Sequence, residues 1–395
     1  MAPDLSASLR FGLIFAAHAL GAMSVLAVLT AGPQLVAELG LSQLQLGGLA
    51  SVYSAALALA SLPAGLVTDR IGTRRALTIA AGLIALGLLL ASVAQGFALL
   101  SAGMALCGMG YGLINPAAGR AVTIWFTPAW RATLMSLKQT GVPVGAALGS
   151  VSAGLGLIWG WQGGVLAAAG LAAGAALLFW VCLPQEHTPP RAKTPQSGSL
   201  EYLRAVLYLP RLGRANLAAG LTNGGQFALW ALLAEALRLS VGASAALLAL
   251  SMGALHLGMF LGRVFWGVLS DRVLNRDAAL ALRLLCLLAL IGAGGFWVVG
   301  ASGAILLVPV SVFLLGFTIC AATGLHVAVT AALAPPHQIG AAIGYTMVIT
   351  NLGGVAAPLL LGAALQHGNV AGFALGLAGM MLAAFVLLRP ARLSG

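Results

Sequence analysis

Charge is what this chain lacks most. Asp, Glu, Lys and Arg make up 7% of its 395 residues, where a soluble domain carries roughly 25%. With 61% hydrophobic residues and a mean hydropathy of +1.03, a water-soluble globule of this length is excluded. Acids are the scarcer sign, 8 Asp+Glu against 19 Lys+Arg for a net charge of +11. Those basic residues stand singly between apolar runs, without the dense stripe a polyanion needs, so nucleic acid is excluded as a partner. Cysteine is also sparse: Cys107, Cys182, Cys286 and Cys320 each sit alone in an apolar stretch. No pair has metal or redox spacing, so all four read as packing residues, with neither metal nor cofactor expected. HExxH, GxSxG and Walker patterns are absent. Enzyme chemistry is left without residues to carry it, and transport or membrane signalling remains.

Long apolar runs are what the chain has instead. A bilayer-crossing helix needs about 20 mostly apolar residues. Polar and Pro/Gly punctuation predicts such runs near 11–32, 44–67, 74–93, 97–126, 132–155 and 161–183, then 212–236, 244–268, 278–299, 303–332, 340–363 and 370–388. The first run extends past the core of a cleavable signal peptide and has Arg10 alone as a basic leader. Between the two sets of six lies 184–211, with Pro184, Pro189, Pro190 and Pro195 followed by SLEYLRAVLYLPRLGR. That segment reads as a cytoplasmic linker carrying an amphipathic interfacial helix. The prediction is an all-α integral membrane protein with six-helix bundles over 1–183 and 212–395.

Orientation follows from the basic residues. With the N-terminus inside, internal segments hold Arg10, Arg70, Arg74, Arg75, Arg131, Arg191, Lys193, Arg204, Arg211, Arg214, Arg272, Arg276, Arg389 and Arg392, and external loops hold Arg238. Both termini are therefore expected in the cytoplasm. The halves also repeat. GLVTDRIGTRR at 65–75 matches GVLSDRVLNR at 267–276, with Gly65, Asp69 and Arg70 answering to Gly267, Asp271 and Arg272. Parallel six-helix repeats are a transporter architecture.

On these residues the chain resembles the major facilitator superfamily over essentially its whole length. The family's G-x-x-x-D-R-x-G-x-R-R signature stands here as Gly65, Asp69, Arg70, Gly72, Arg74 and Arg75, with the reduced second copy at Gly267, Asp271 and Arg272. The resemblance implies a twelve-helix fold working by alternating access, in which these residues form a conformational gate rather than a substrate site. A carboxylate near a helix start complements the dipole. Two features depart from the drug/proton antiporters of the superfamily. Met104 stands where many carry an arginine, and their fifth-helix pattern is partial in QTGVPVGAALG.

Ionisable residues inside a membrane are costly, roughly 2.5–3.5 kcal/mol each at the centre on insertion scales. The runs contain Arg120, Lys138 and Arg263, with His18, His256 and His326. Arg263 is eight residues from Asp271, about 12 Å at 1.5 Å per residue. The runs supply no midspan carboxylate beside these groups, so an anionic ligand is expected to complete them. The setting GRVFWGVLSDR is similar to the eighth-helix pattern of oxalate/formate, monocarboxylate and nitrate porters, which implies that Arg263 binds the substrate anion. A guanidinium holds a carboxylate bidentately. Nitrate itself is disfavoured, because Ser61 stands where nitrate porters place a second arginine.

Neutral polar candidates for the pocket are Tyr53, Asn115, Gln139, Asn223, Gln226, Trp230, Tyr345 and Asn351. The expectation is a monomeric secondary transporter in a cell membrane of bacterial inner-membrane type, moving a small organic anion with a coupling proton or counter-anion. Efflux of drug-like or amphiphilic compounds is the alternative within transport, and a non-transporting receptor the alternative outside it.

Overall fold

A computed structural model describes residues 6–41, 43–186, 207–209, 211–367 and 369–388. Among these residues the regular structure is entirely helical. An apolar chain in lipid must satisfy its backbone internally, and helices do so within each segment. The helices are α1 (Ala7–Leu29), α2 (Gly32–Leu39), α3 (Gln43–Ile71), α4 (Thr73–Ser92), α5 (Phe97–Trp125), α6 (Arg131–Lys138) and α7 (Gly141–Cys182). After them come α8 (Leu212–Val241), α9 (Ala245–Arg272), α10 (Ala278–Ser302), α11 (Val308–Thr318), α12 (Thr323–Leu333), α13 (Ile339–Gln366) and α14 (Val370–Leu387). Short polar side chains start several of them: Ser6, Ser244, Asp277 and Asn369 each accept a first-turn backbone N–H.

All twelve apolar runs are helical, but three are built differently from an uninterrupted span. Among the described residues nine helices are long and apolar enough to cross a membrane, and ten if the pair Gly48–Ser61 and Pro63–Ile71, bent by 51°, counts as one. The bend falls at Pro63, where a ring replaces a backbone donor. The fifth run is divided into α6 and the start of α7, and α7 continues into the sixth across Gly160 at φ 72°, a conformation glycine adopts without a Cβ penalty. The tenth run breaks at a 3-10 stretch, Ile319–Ala321. Near that break the Leu314 carbonyl accepts from Thr318 Oγ1 at 2.7 Å and the Phe317 carbonyl from Trp266 Nε1 at 2.9 Å. The amphipathic helix expected within 184–211 falls almost wholly outside the described residues.

The chain forms two compact units. The first comprises Met1–Phe126, Lys138–Leu207 and Ala334–Val348. Its helices approach closely at glycine: an added Cβ at Gly145 would run into Ala19, at Gly87 into Gly103, and at Gly108 into the Tyr53 carbonyl. Small residues of this kind let apolar helices pack backbone to backbone. The second comprises Thr127–Leu137, Tyr208–Leu333 and Ile349–Gly395, with comparable approaches of Gly258 to Phe313, Gly316 to Leu255 and Gly353 to Gly220.

Candidate functional site

The signature between the second and third apolar runs is mostly helix. Asp69 and Arg70 end α3, Arg74 and Arg75 begin α4, and Gly72 alone turns between them at φ 79°. Gly65 allows the start of α13 to come within contact of α3, since a Cβ there would meet Gly340. Asp69 then receives that helix start: Oδ1 accepts from the Gly340 N–H at 2.9 Å and Oδ2 from the Ala341 N–H at 2.8 Å. Capping charge and dipole agree in sign. In the second unit Asp271 does the same for α6, accepting from the Ala132 and Thr133 N–H groups at 3.2 and 2.7 Å, while a Cβ at Gly267 would meet Thr133.

The two copies differ around that shared contact. Arg120 Nη1 donates to Asp69 Oδ1 at 3.2 Å and Arg120 Nε to Glu186 Oε2 at 3.2 Å, with all three side chains at most 8% exposed. Arg120 was a candidate for the substrate; here Asp69, near the end of α3, and Glu186, four residues past α7, bring it two carboxylates. A pocket of about 500 Å³ opens beside this cluster, lined by Gly72, Arg74, Arg75, Trp180, Gln185 and Glu186. The Arg74 guanidinium stacks 4.6 Å from the Trp180 ring, and Arg272 stacks 3.7 Å from Trp130 in the second unit.

A second polar cluster of the first unit lies on α1, α5, α6 and the residue after it. Lys138 is fully buried, and its Nζ sits 3.1 Å from His18 Nε2 and 3.1 Å from Asn115 Oδ1. Gln139 Nε2 donates to the same Asn115 oxygen at 3.0 Å, and His18 Nε2 lies 3.1 Å from it. An ammonium has donors and no acceptor, which fixes the Asn115 atom facing it as the carbonyl oxygen. His18 Nδ1 is 3.2 Å from the Ile14 carbonyl. With the proton on Nδ1, the ring donates there and offers Nε2 to Lys138. Lys138, His18, Asn115 and Gln139 were all candidates, and the structure brings all four together.

The remaining candidates separate. Tyr53 is buried with its hydroxyl donating to the Gly21 carbonyl at 3.0 Å and its ring 6.4 Å from that of Tyr111. Tyr345, also in the first unit, is half-buried. In the second unit Arg263 is 4% exposed, one turn from the Trp266 indole that bonds Phe317. Buried His326 Nε2 is 2.8 Å from Thr222 Oγ1, and Asn223 Nδ2 donates to the Thr350 carbonyl at 2.8 Å. Gln226 Oε1 and Trp230 Nε1 are buried with no hydrogen-bond partner among the described residues, one helical turn apart on α8. Asn351 is half-buried, and His256 is exposed with Nδ1 2.7 Å from the Met252 carbonyl. Sequence reasoning missed Glu186 and Thr222, since neither shares a motif or a helical face with its partner.

In each unit of this apolar helical chain an aspartate of the repeated sequence caps a helix start, and comparison with known proteins supplies the class. The sequence model of the Major Facilitator Superfamily matches residues 14–308 and 215–394, and the chain belongs to that family. A chloramphenicol efflux pump of Mycobacterium tuberculosis is 27% identical over 172 residues, covering 41% of this chain and 42% of that protein. The hexuronate transporter of Bacillus subtilis is 28% identical over 142 residues, covering 36% and 34%. The chain thus matches about two fifths or less of the length of these relatives. The crystal structure of the Escherichia coli fucose:proton symporter superposes with a TM-score of 0.75 over 96% of this chain and 98% of that one, at 17% identity. That likeness is one of fold.

Proposed function

We propose that this transporter moves a small organic anion of carboxylate type by alternating access. The observation that carries the reading is Lys138. It is a fully buried ammonium with its Nζ 3.1 Å from an amide oxygen and from an imidazole nitrogen. An ammonium in such a polar cluster is a charged donor that a carboxylate can accept from. In the second unit Arg263, buried on α9, is a separate candidate for the same class of ligand. Hexuronates are carboxylates, so the Bacillus subtilis relative supports the same class. The chloramphenicol relative, together with the Phe227 and Trp230 rings 5.2 Å apart, favours efflux of a drug-like compound as the second reading.

Both termini and residues 184–211 are placed on the cytoplasmic side in this proposal, on the distribution of Lys and Arg. Protection of a cysteine introduced at His187 from an impermeant reagent added outside intact cells is the expected result. The substrate test is a thermal-shift screen of the purified protein against D-glucuronate, benzoate, lactate, amino acids, chloramphenicol and hydrophobic cations, since a ligand of the folded state stabilises it. Carboxylates as best ligands support the proposal. Hydrophobic cations or chloramphenicol as best ligands, with Arg263→Lys binding like the wild type, overturn it.

A further inference from the structure

Two arginines at the start of α4 stand where the described residues provide no anion. The Arg74 guanidinium is held 4.6 Å from the Trp180 ring, and its Nε is buried with no hydrogen-bond partner. Arg75 is exposed. Both line the pocket of about 500 Å³ beside Gly72 and Glu186, and among the described residues no ion pair involves either of them. The carboxylate in that lining, Glu186, is bonded to Arg120 at 3.2 Å. The helix start adds to the demand: Gly72 at the N-cap has no side chain to cap with, and the first turn of α4 holds no acid. Backbone N–H groups and the dipole at such an end favour an anion. The second copy is built otherwise. At the repeat positions of Arg74 and Arg75 it has Arg276 and Asp277, and Asp277 caps α10 by accepting from the Leu280 N–H at 2.9 Å.

We propose that this pocket holds the phosphate of an anionic membrane lipid, a phosphodiester headgroup of the phosphatidylglycerol kind. Arg74, set in place by the indole, and Arg75 beside it present guanidinium donors that match phosphate oxygens. The apolar surface next to the pocket distinguishes a lipid from a free phosphate. α4 and α7 pack together, and exposed Ile79 and Leu86 continue the Arg75 face of α4 while exposed Leu177 lies one turn from Trp180 on α7. Acyl chains fit along both stripes. A half-exposed tryptophan suits the headgroup level of a bilayer, and basic pockets between membrane helices collect anionic lipids. A zwitterionic headgroup would bring its own cation against two arginines. On the orientation proposed above the lipid lies in the inner leaflet, and the site is independent of the substrate reading.

The test is lipid binding to the purified full-length protein in detergent, measured by native mass spectrometry. The probes are dioleoyl phosphatidylglycerol, phosphatidylethanolamine and phosphatidylcholine, with glycerophosphate as the free phosphate. The wild type is expected to hold phosphatidylglycerol ~10-fold or more tightly than either zwitterionic lipid or glycerophosphate. Arg75→Gln is expected to weaken that binding by about fivefold, and Arg74→Gln combined with Arg75→Gln by ~10-fold or more. Arg276→Gln removes the same charge from the second unit and is expected to change nothing. Undiminished phosphatidylglycerol binding in both first-unit variants, or an equal loss in Arg276→Gln, overturns the site. Equal affinity for a zwitterionic lipid overturns the anionic headgroup, and equal affinity for glycerophosphate overturns the lipid. Should the double variant fail to fold, Arg75→Gln decides the matter by the same criterion, since its exposed side chain supports no described contact.

Discussion

Two buried cations in the first unit meet opposite fates. Arg120 lies against Asp69 and Glu186, all three side chains at most 8% exposed, and Asp69 is further held by two backbone N–H groups at the start of α13. Lys138 is more deeply buried still, yet the groups on its ammonium include an imidazole and an amide. Burial therefore does not mark a ligand site. What separates the two is the chemistry of the neighbours. Arg120 lies against two carboxylates, so removing it breaks structure. Lys138 lies against an amide oxygen and an imidazole, the groups beside which an anionic ligand is proposed to bind.

Perturbing each side of that contrast ranks the consequences. Arg120→Ala leaves two buried carboxylates without their cation and is expected to destabilise the protein by about 3–5 kcal/mol, read as denaturant or thermal stability in detergent. Asp69→Asn keeps the volume and one acceptor but loses the ion pair. It is expected to cost about 2 kcal/mol and to depress transport in proteoliposomes much more than equilibrium ligand binding, as a gate residue should. Asp271→Asn removes the charge of a helix cap and its attraction to Arg131. Its expected cost is about 0.5–1 kcal/mol, and a loss equal to that of Asp69→Asn would contradict the contrast. Gly72→Ala places a Cβ at φ 79° and 3.3 Å from Glu186 Oε2, with an expected cost of about 1 kcal/mol. The second copy turns instead through Asn275 and Arg276 at φ 52° and 66°, so Arg276→Gly is expected to gain about 0.5 kcal/mol.

Much of this was legible in the amino-acid order, and for a physical reason. Lipid demands long apolar runs, so hydropathy locates the apolar helices, nine or ten of them long enough to span a membrane among the described residues, and the repeated Asp69 and Asp271 mark the two helix caps. The breaks were not legible. Gly160 turns the chain inside an unbroken apolar stretch, and the 3-10 stretch at Ile319–Ala321 has the same composition as the helices beside it. At the candidate site, the convergence of His18, Asn115, Lys138 and Gln139 was anticipated as membership of one pocket, because each polar residue in an apolar run needs a partner. Glu186 was not, since it lies beyond the end of α7 and 66 positions from Arg120. Tyr53 read as a pocket residue, while its hydroxyl is spent on the Gly21 carbonyl, a bond no sequence pattern announces.

In the proposed function Lys138 contacts an anionic ligand and Arg120, paired with Asp69 and Glu186, does not. The most direct measurement is calorimetric binding of D-glucuronate, benzoate and lactate to wild type and to Lys138→Met, which removes the ammonium at similar length. The account predicts that a carboxylate binds the wild type and that Lys138→Met loses that binding by ~100-fold or more, with a cost in unliganded stability of only about 1 kcal/mol, well below that of Arg120→Ala. Undiminished carboxylate binding by Lys138→Met, or a collapse of its stability to the level of Arg120→Ala, would contradict it.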